Sequence, residues 1–143
     1  MKKTLLLSIS ILSISLMSCK KEGCTDFDAT NYDADAKKEN GTCIFEGSNV
    51  FWYDEDVATF LVSDDAVSLF YYVNDQLIGS SAAGVYWTSA PDCGQDASIT
   101  VTKNLGNIKT QSFSYEVIDQ SGWTYWSGTL NFNANTCITV ELD

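Results

Sequence analysis

The 143 residues hold 19 acids against 8 lysines, with neither arginine nor histidine, for a formal charge of −11. That balance argues against a nucleic-acid partner, which needs a basic stripe. It also removes the usual general base, the usual helper of a serine or cysteine nucleophile and the commonest nitrogen ligand of zinc; a carboxylate-pair glycosidase is the one enzyme class left open, no acid pair stands out, and the chain reads as non-enzymatic.

The first element in chain order is a leader. Met1-Lys2-Lys3 precedes an apolar run from Thr4 to Met17, interrupted by Ser8, Ser10, Ser13 and Ser15, which is the pattern of a secretory signal. The run is shorter than the roughly 20 apolar residues of a spanning helix. It closes on Leu16-Met17-Ser18-Cys19, which resembles a bacterial lipobox of the form Leu-x-Gly/Ala/Ser-Cys. The resemblance implies that residues 1–18 are removed, that the Cys19 thiol is diacylated, and that the mature protein is held on the outer membrane or cell surface. Several acyl chains anchor stably, at about 0.8 kcal/mol per buried methylene. Residues 19–23 then form a lipidated polar tether, in which Lys21-Glu22 partly resembles a surface-export tag of Bacteroidetes lipoproteins. Loss of Lys2 and Lys3 lowers the lysine count from 8 to 6 and takes the charge from −11 to −13.

Next comes a cysteine-bounded stretch, residues 24–43. Four cysteines remain beyond Cys19, and an even number in an exported chain reads as disulfides. Three connectivities are open; Cys24 with Cys43 and Cys93 with Cys137 is favoured, because the first two bound one compact stretch and the last two flank strands of the following domain. The stretch resembles a short module of Bacteroidetes surface and secreted proteins, Cys-Thr-Asp-x-x-Ala-x-Asn-Tyr-x-x-x-Ala-x-x-x-x-Gly-Ser/Thr-Cys. Cys24, Thr25, Asp26, Ala29, Asn31, Tyr32, Ala36, Gly41, Thr42 and Cys43 fall in place, whereas Phe27 stands where proline is usual. Asp26, Asp28, Asn31, Asp33 and Asp35, with Glu39 and Asn40, supply hard oxygen donors of the kind calcium takes. An EF-hand does not fit, since from Asp33 its fifth and sixth loop positions would be Lys37 and Lys38. The competing expectation is a disulfide-closed turn whose Asp and Asn side chains cap the local backbone, with Phe27 and Tyr32 packed inward.

From Asn49 to Asp143 short runs rich in Val, Ile, Thr, Tyr, Phe and Trp alternate with turn residues, and no helical period is evident. Strands are expected near 49–54, 57–63, 67–73, 76–81, 84–88, 97–103, 111–119, 122–132 and 137–142. Their spacing predicts an all-β fold over residues 49–143, an antiparallel β-sandwich of eight or nine short strands, with a partly closed barrel as the alternative. Asn74-Asp75 and Asp119-Gln120-Ser121-Gly122 are expected hairpin turns. Alternation puts Phe113, Tyr115 and Val117, Ile99 and Val101, and Ile138, Val140 and Leu142 in the core. It also puts Trp126, Leu130 and Phe132 on one face of the 122–132 strand and Trp123 and Tyr125 on the other.

An exposed Trp123/Tyr125 pair beside Ser127 and Thr129 would make a sugar-stacking platform, with Phe70, Tyr72 and Tyr86 as extensions. The same aromatics serve equally as cross-strand packing pairs. The expected function is a non-catalytic envelope or surface lipoprotein, a binding or adhesion module. Its partners are the membrane, through the lipid, and a glycan or another envelope protein. The alternative names Trp123 and Tyr125 as a glycan site, with calcium as the one cofactor to consider.

Overall fold

A computed structural model describes residues 20–143. The leader and Cys19, on which the lipidation expectation rests, lie outside the described residues. The fold is all-β, with strands β1 (Glu22–Gly23), β2 (Lys38–Glu39), β3 (Phe45–Trp52), β4 (Ser68–Val73), β5 (Gln76–Ala82), β6 (Ile99–Gly106), β7 (Thr110–Asp119), β8 (Thr124–Asn133) and β9 (Cys137–Glu141), and one helix, α1 (Glu55–Ser63). A three-stranded sheet, β6-β3-β9, faces a four-stranded sheet, β5-β4-β7-β8.

Two sequence expectations are corrected. The run at 57–63 is helical, because Asp54 is extended and its carboxylate accepts from the Val57 amide at 3.0 Å, capping a first turn that holds Glu55 and Asp56. Ala58 and Leu61, three apart on that helix, are its buried positions. No strand forms at 84–88, where the chain turns and the Trp87 amide bonds back to the Tyr53 carbonyl. The sandwich also begins at Phe45 rather than Asn49. Within the two facing sheets pairing is antiparallel except that β9 lies parallel to β3; the short β1–β2 pair outside them is parallel too. The chain leaves β8 in one sheet and enters β9 in the other, so that join is a crossover between layers and not a hairpin.

The expected Asn74-Asp75 turn is present, with φ of 53° and 60°. Two successive positive values are what a two-residue turn of the hairpin type demands. At the β7–β8 turn Gly122 has φ 88°, and the buried Asp119 carboxylate accepts from the Ser121 amide (2.8 Å), the Ser121 hydroxyl (2.7 Å) and the Trp123 amide (2.9 Å). These donors, the Ser121 hydroxyl first, hold its pKa below the ordinary carboxylate value.

Between the layers Phe51 meets Tyr71 and Tyr115 at 5.4 and 5.6 Å, and Phe113 meets Phe132 edge-on at 5.4 Å. The buried Asn49 donates across the gap to the Asn131 carbonyl at 3.1 Å, so its polarity is satisfied. Val50, on the opposite face of β3, is also fully buried. Cys137 pairs with Ser48 and shares that face, so the Cys93–Cys137 disulfide fastens the long β5–β6 connection on this side of the sheet.

The 24–43 module is closed by Cys24–Cys43 and is part of the same core, since Cys24 and Ala29 are buried in one cluster with Phe45 and Leu105. Against expectation Phe27 is not packed inward. It is 78% exposed and lies on Tyr32 with ring centroids 4.5 Å apart. Residues 21–23 are likewise no free spacer: Lys37 donates its amide to the Lys21 carbonyl, and β1 pairs with β2.

Candidate functional site

A concavity walled by aromatic side chains lies between α1 and the start of β8. A β-bulge makes it. Val117 pairs with Trp126 and Ile118 pairs with Thr124, so Tyr125 is the extra residue on β8. The bulge breaks the strict alternation expected from sequence, and Tyr125 and Trp126 come to line the same hollow, their rings 5.6 Å apart. Phe60 of α1 meets Tyr125 edge-on at 6.3 Å, and Trp126 stacks over Tyr53 at 6.4 Å. Trp123, fixed through its backbone by Asp119, is 65% exposed, and Phe60 is 56% exposed.

Polar groups hold this frame. The Tyr125 hydroxyl donates to Asp64 at 2.8 Å and the Trp126 indole N–H donates to the Asp143 carbonyl at 3.0 Å. The result is a cleft of about 690 Å³ with aromatic walls and the acids Asp56, Asp64 and Asp143 on its lining. Its size is in the range of small-molecule sites. The Tyr125 hydroxyl is pushed up to about 12, first by loss of solvent and then by the hydrogen bond and charge of Asp64, with Asp119 and Asp65 adding to it.

Trp123 and Tyr125 are therefore brought together, as expected, but their proposed extensions are elsewhere. Tyr72 lines a hollow on the outer face of the four-stranded sheet with Ser114, Glu116 and Ser127, and Phe70 shares its strand face. Tyr86 lines a groove on the other flank of α1 with Val62 and Gly84. Phe60 and Trp126 take their place in the cleft. The sequence pattern puts residue 60 on a strand and Trp126 on the strand face opposite Trp123 and Tyr125; the Asp54-Glu55-Asp56 run ahead of an apolar segment is the signal for the helix that presents Phe60.

The candidate calcium ligands are not gathered around one point. Asp26 and Asp28 converge on the Lys109 ammonium at 2.7 and 2.9 Å, while Asp33 and Asp35 lie 2.8 and 3.7 Å from Lys21. A lysine nitrogen thus stands beside each acid pair. Asp26 and Asp33 also accept from the amides two residues on, and Asn31 spans the loop, donating to the Thr42 carbonyl and accepting from the Ile44 amide. Asp26 and Asp33 are held below the ordinary carboxylate value, chiefly by the hydrogen bonds from Lys109 and Lys21 respectively. Among the described residues, the grouping of three potential metal ligands is Cys24, Glu39 and Cys43. Both of its sulfurs are joined in a disulfide, so it offers no thiolate.

No protein-family model, curated protein or solved structure matches the chain.

Proposed function

We propose that this protein is a non-catalytic, lipid-anchored component of the bacterial outer membrane or cell surface that binds a saccharide in the cleft between α1 and β8. The observation that carries the reading is the exposure of Trp123 and Phe60 over a hollow already walled by Tyr125 and Trp126. Phe51, Tyr53, Tyr71 and Phe132 are buried in the sandwich, and Phe27 and Tyr86 are exposed elsewhere, each in a hollow without this set of rings; four aromatics gathered in one concavity, two of them largely in solvent, call for an occupant. A pyranose presents an apolar C–H face to such rings, and carboxylates and hydroxyls on the rim, here Asp56, Asp64 and Thr124, accept from or donate to its hydroxyls. The lipid anchor is supported by the lipobox-like Leu16-Met17-Ser18-Cys19 alone.

A glycan array followed by calorimetry tests the site. Wild type is expected to bind at least one saccharide class, and Trp123→Ala to weaken it by about tenfold or more, equivalent to about 1.4 kcal/mol. A wild type that binds no saccharide, or a Trp123→Ala protein with unchanged affinity, would overturn the assignment.

A further inference from the structure

The occupant can be narrowed from the charge around the cleft. Asp56 stands in the first turn of α1, Asp64 caps its C-terminus and Asp143 closes the far wall, and no lysine lines the hollow. Among the described residues the lysines are spent elsewhere. Lys20, Lys21, Lys37 and Lys38 lie on or beside the 24–43 module. Lys109 is paired to Asp26 and Asp28, and Lys103 lies against Gln76 and the Phe113 ring.

The helix aggravates the imbalance. α1 has no basic residue in its last turn and is followed at its C-terminus by Asp64 and Asp65, two carboxylates at the end of a helix whose own dipole is negative. Anions there raise the energy of the empty cleft, and a cation beside them relieves it. Aromatic faces, Trp above all, attract cations through their quadrupoles, ammonium groups of ligands among them. Phe60, Trp123, Tyr125 and Trp126 supply such faces within the same hollow. A neutral sugar would use the rings and hydrogen-bond the carboxylates, but would leave their charge unbalanced.

Resting on the saccharide reading above, we propose that the ligand is a saccharide carrying a free protonated amine, a glucosamine-type unit whose ring lies on Trp123 and whose ammonium is held beside Asp64 at the C-terminal end of α1. This is a specificity distinct from sugar binding in general, because acetylation of the same amine removes the charge and leaves the ring intact.

The test is a calorimetric titration of the whole chain with a glucosamine tetramer and, in parallel, with its fully N-acetylated counterpart. The expected result is at least tenfold tighter binding of the amine form, a preference that falls below threefold in Asp56→Asn/Asp64→Asn and a loss of affinity for the amine form in Trp123→Ala. Asp64→Asn alone, at an exposed position that still accepts from Tyr125 through its amide oxygen, gives the same direction of change should the double variant fail to fold. Equal or tighter binding of the acetylated tetramer would overturn the amine specificity and leave the saccharide reading standing. Binding of neither would overturn the amine specificity, and the glycan array would decide the saccharide reading separately. Amine binding that survives Trp123→Ala undiminished would mark adsorption of a polycation to an acidic surface, and would overturn the site.

Discussion

Gly47 sets the separation of the two sheets. A Cβ there would come within 2.4 Å of the Asn133 carbonyl oxygen and 3.0 Å of its nitrogen, both backbone atoms that cannot rotate away. The residue does not stand among the positive-φ positions, so alanine is permitted by the local backbone and refused only by the neighbour. Gly47→Ala should therefore destabilise by about 1–3 kcal/mol, the usual range for overpacking a close contact. Urea denaturation should show a lower midpoint with an unchanged slope; an unaltered midpoint would mean that β3 and β8 do not approach this closely. Lys109 acts across a similar seam. Its ammonium ties Asp26 and Asp28 to the β6–β7 turn and lies 5.5 Å from the Phe45 ring, which joins module and sandwich by charge as Cys24 and Ala29 join them by packing.

At the scale of elements, α1 connects stability to the site. Its N-terminal cap is one side-chain hydrogen bond, from the Val57 amide to Asp54, and it brings Asp56 and Phe60, with its C-cap Asp64, to the cleft. Asp54→Ala should cost about 1 kcal/mol and, by fraying the first turn, weaken saccharide binding more than it weakens the core. Parallel measurement of urea stability and of calorimetric affinity checks this, and unchanged affinity beside lost stability would detach the helix from the site. The strands and turns were legible in sequence because alternation survives wherever one face is buried and the other wet, as along Phe113, Tyr115 and Val117. Asn74-Asp75 was legible because few residue pairs tolerate two positive φ values. The helix was not, since Val57-Ala58-Thr59-Phe60-Leu61-Val62 is rich in strand formers and only the acids ahead of it mark a helix start. The bulge at Tyr125 left no mark either. A single unpaired residue is decided by the partner strand, and it was this shift of one position that joined Trp126 to the site.

The whole molecule is arranged between two poles. β8 runs for 10 residues, about 30 Å at roughly 3.3 Å per residue. One end is at the cleft. At the other, Ala134 donates its amide to the carbonyl of Lys109, the residue that grips the module. The N-terminal side of the chain is bound into that same module, through Lys21 and β1, so only two residue steps separate Lys21 from Cys19. Under the proposed lipidation those steps span at most about 7 Å, at roughly 3.3–3.6 Å per residue. The module then rests at the headgroups with Phe27 on its surface, and the cleft is presented outward at the far end of β8. Lipidated protein in vesicles containing headgroup-nitroxide lipids tests the arrangement. A cyanophenylalanine placed at position 27 should be strongly quenched and one at position 123 little affected. Equal quenching at both, or stronger quenching at 123, would mean that the domain lies on its side, with the acidic cleft turned toward the bilayer instead of toward a soluble or neighbouring glycan.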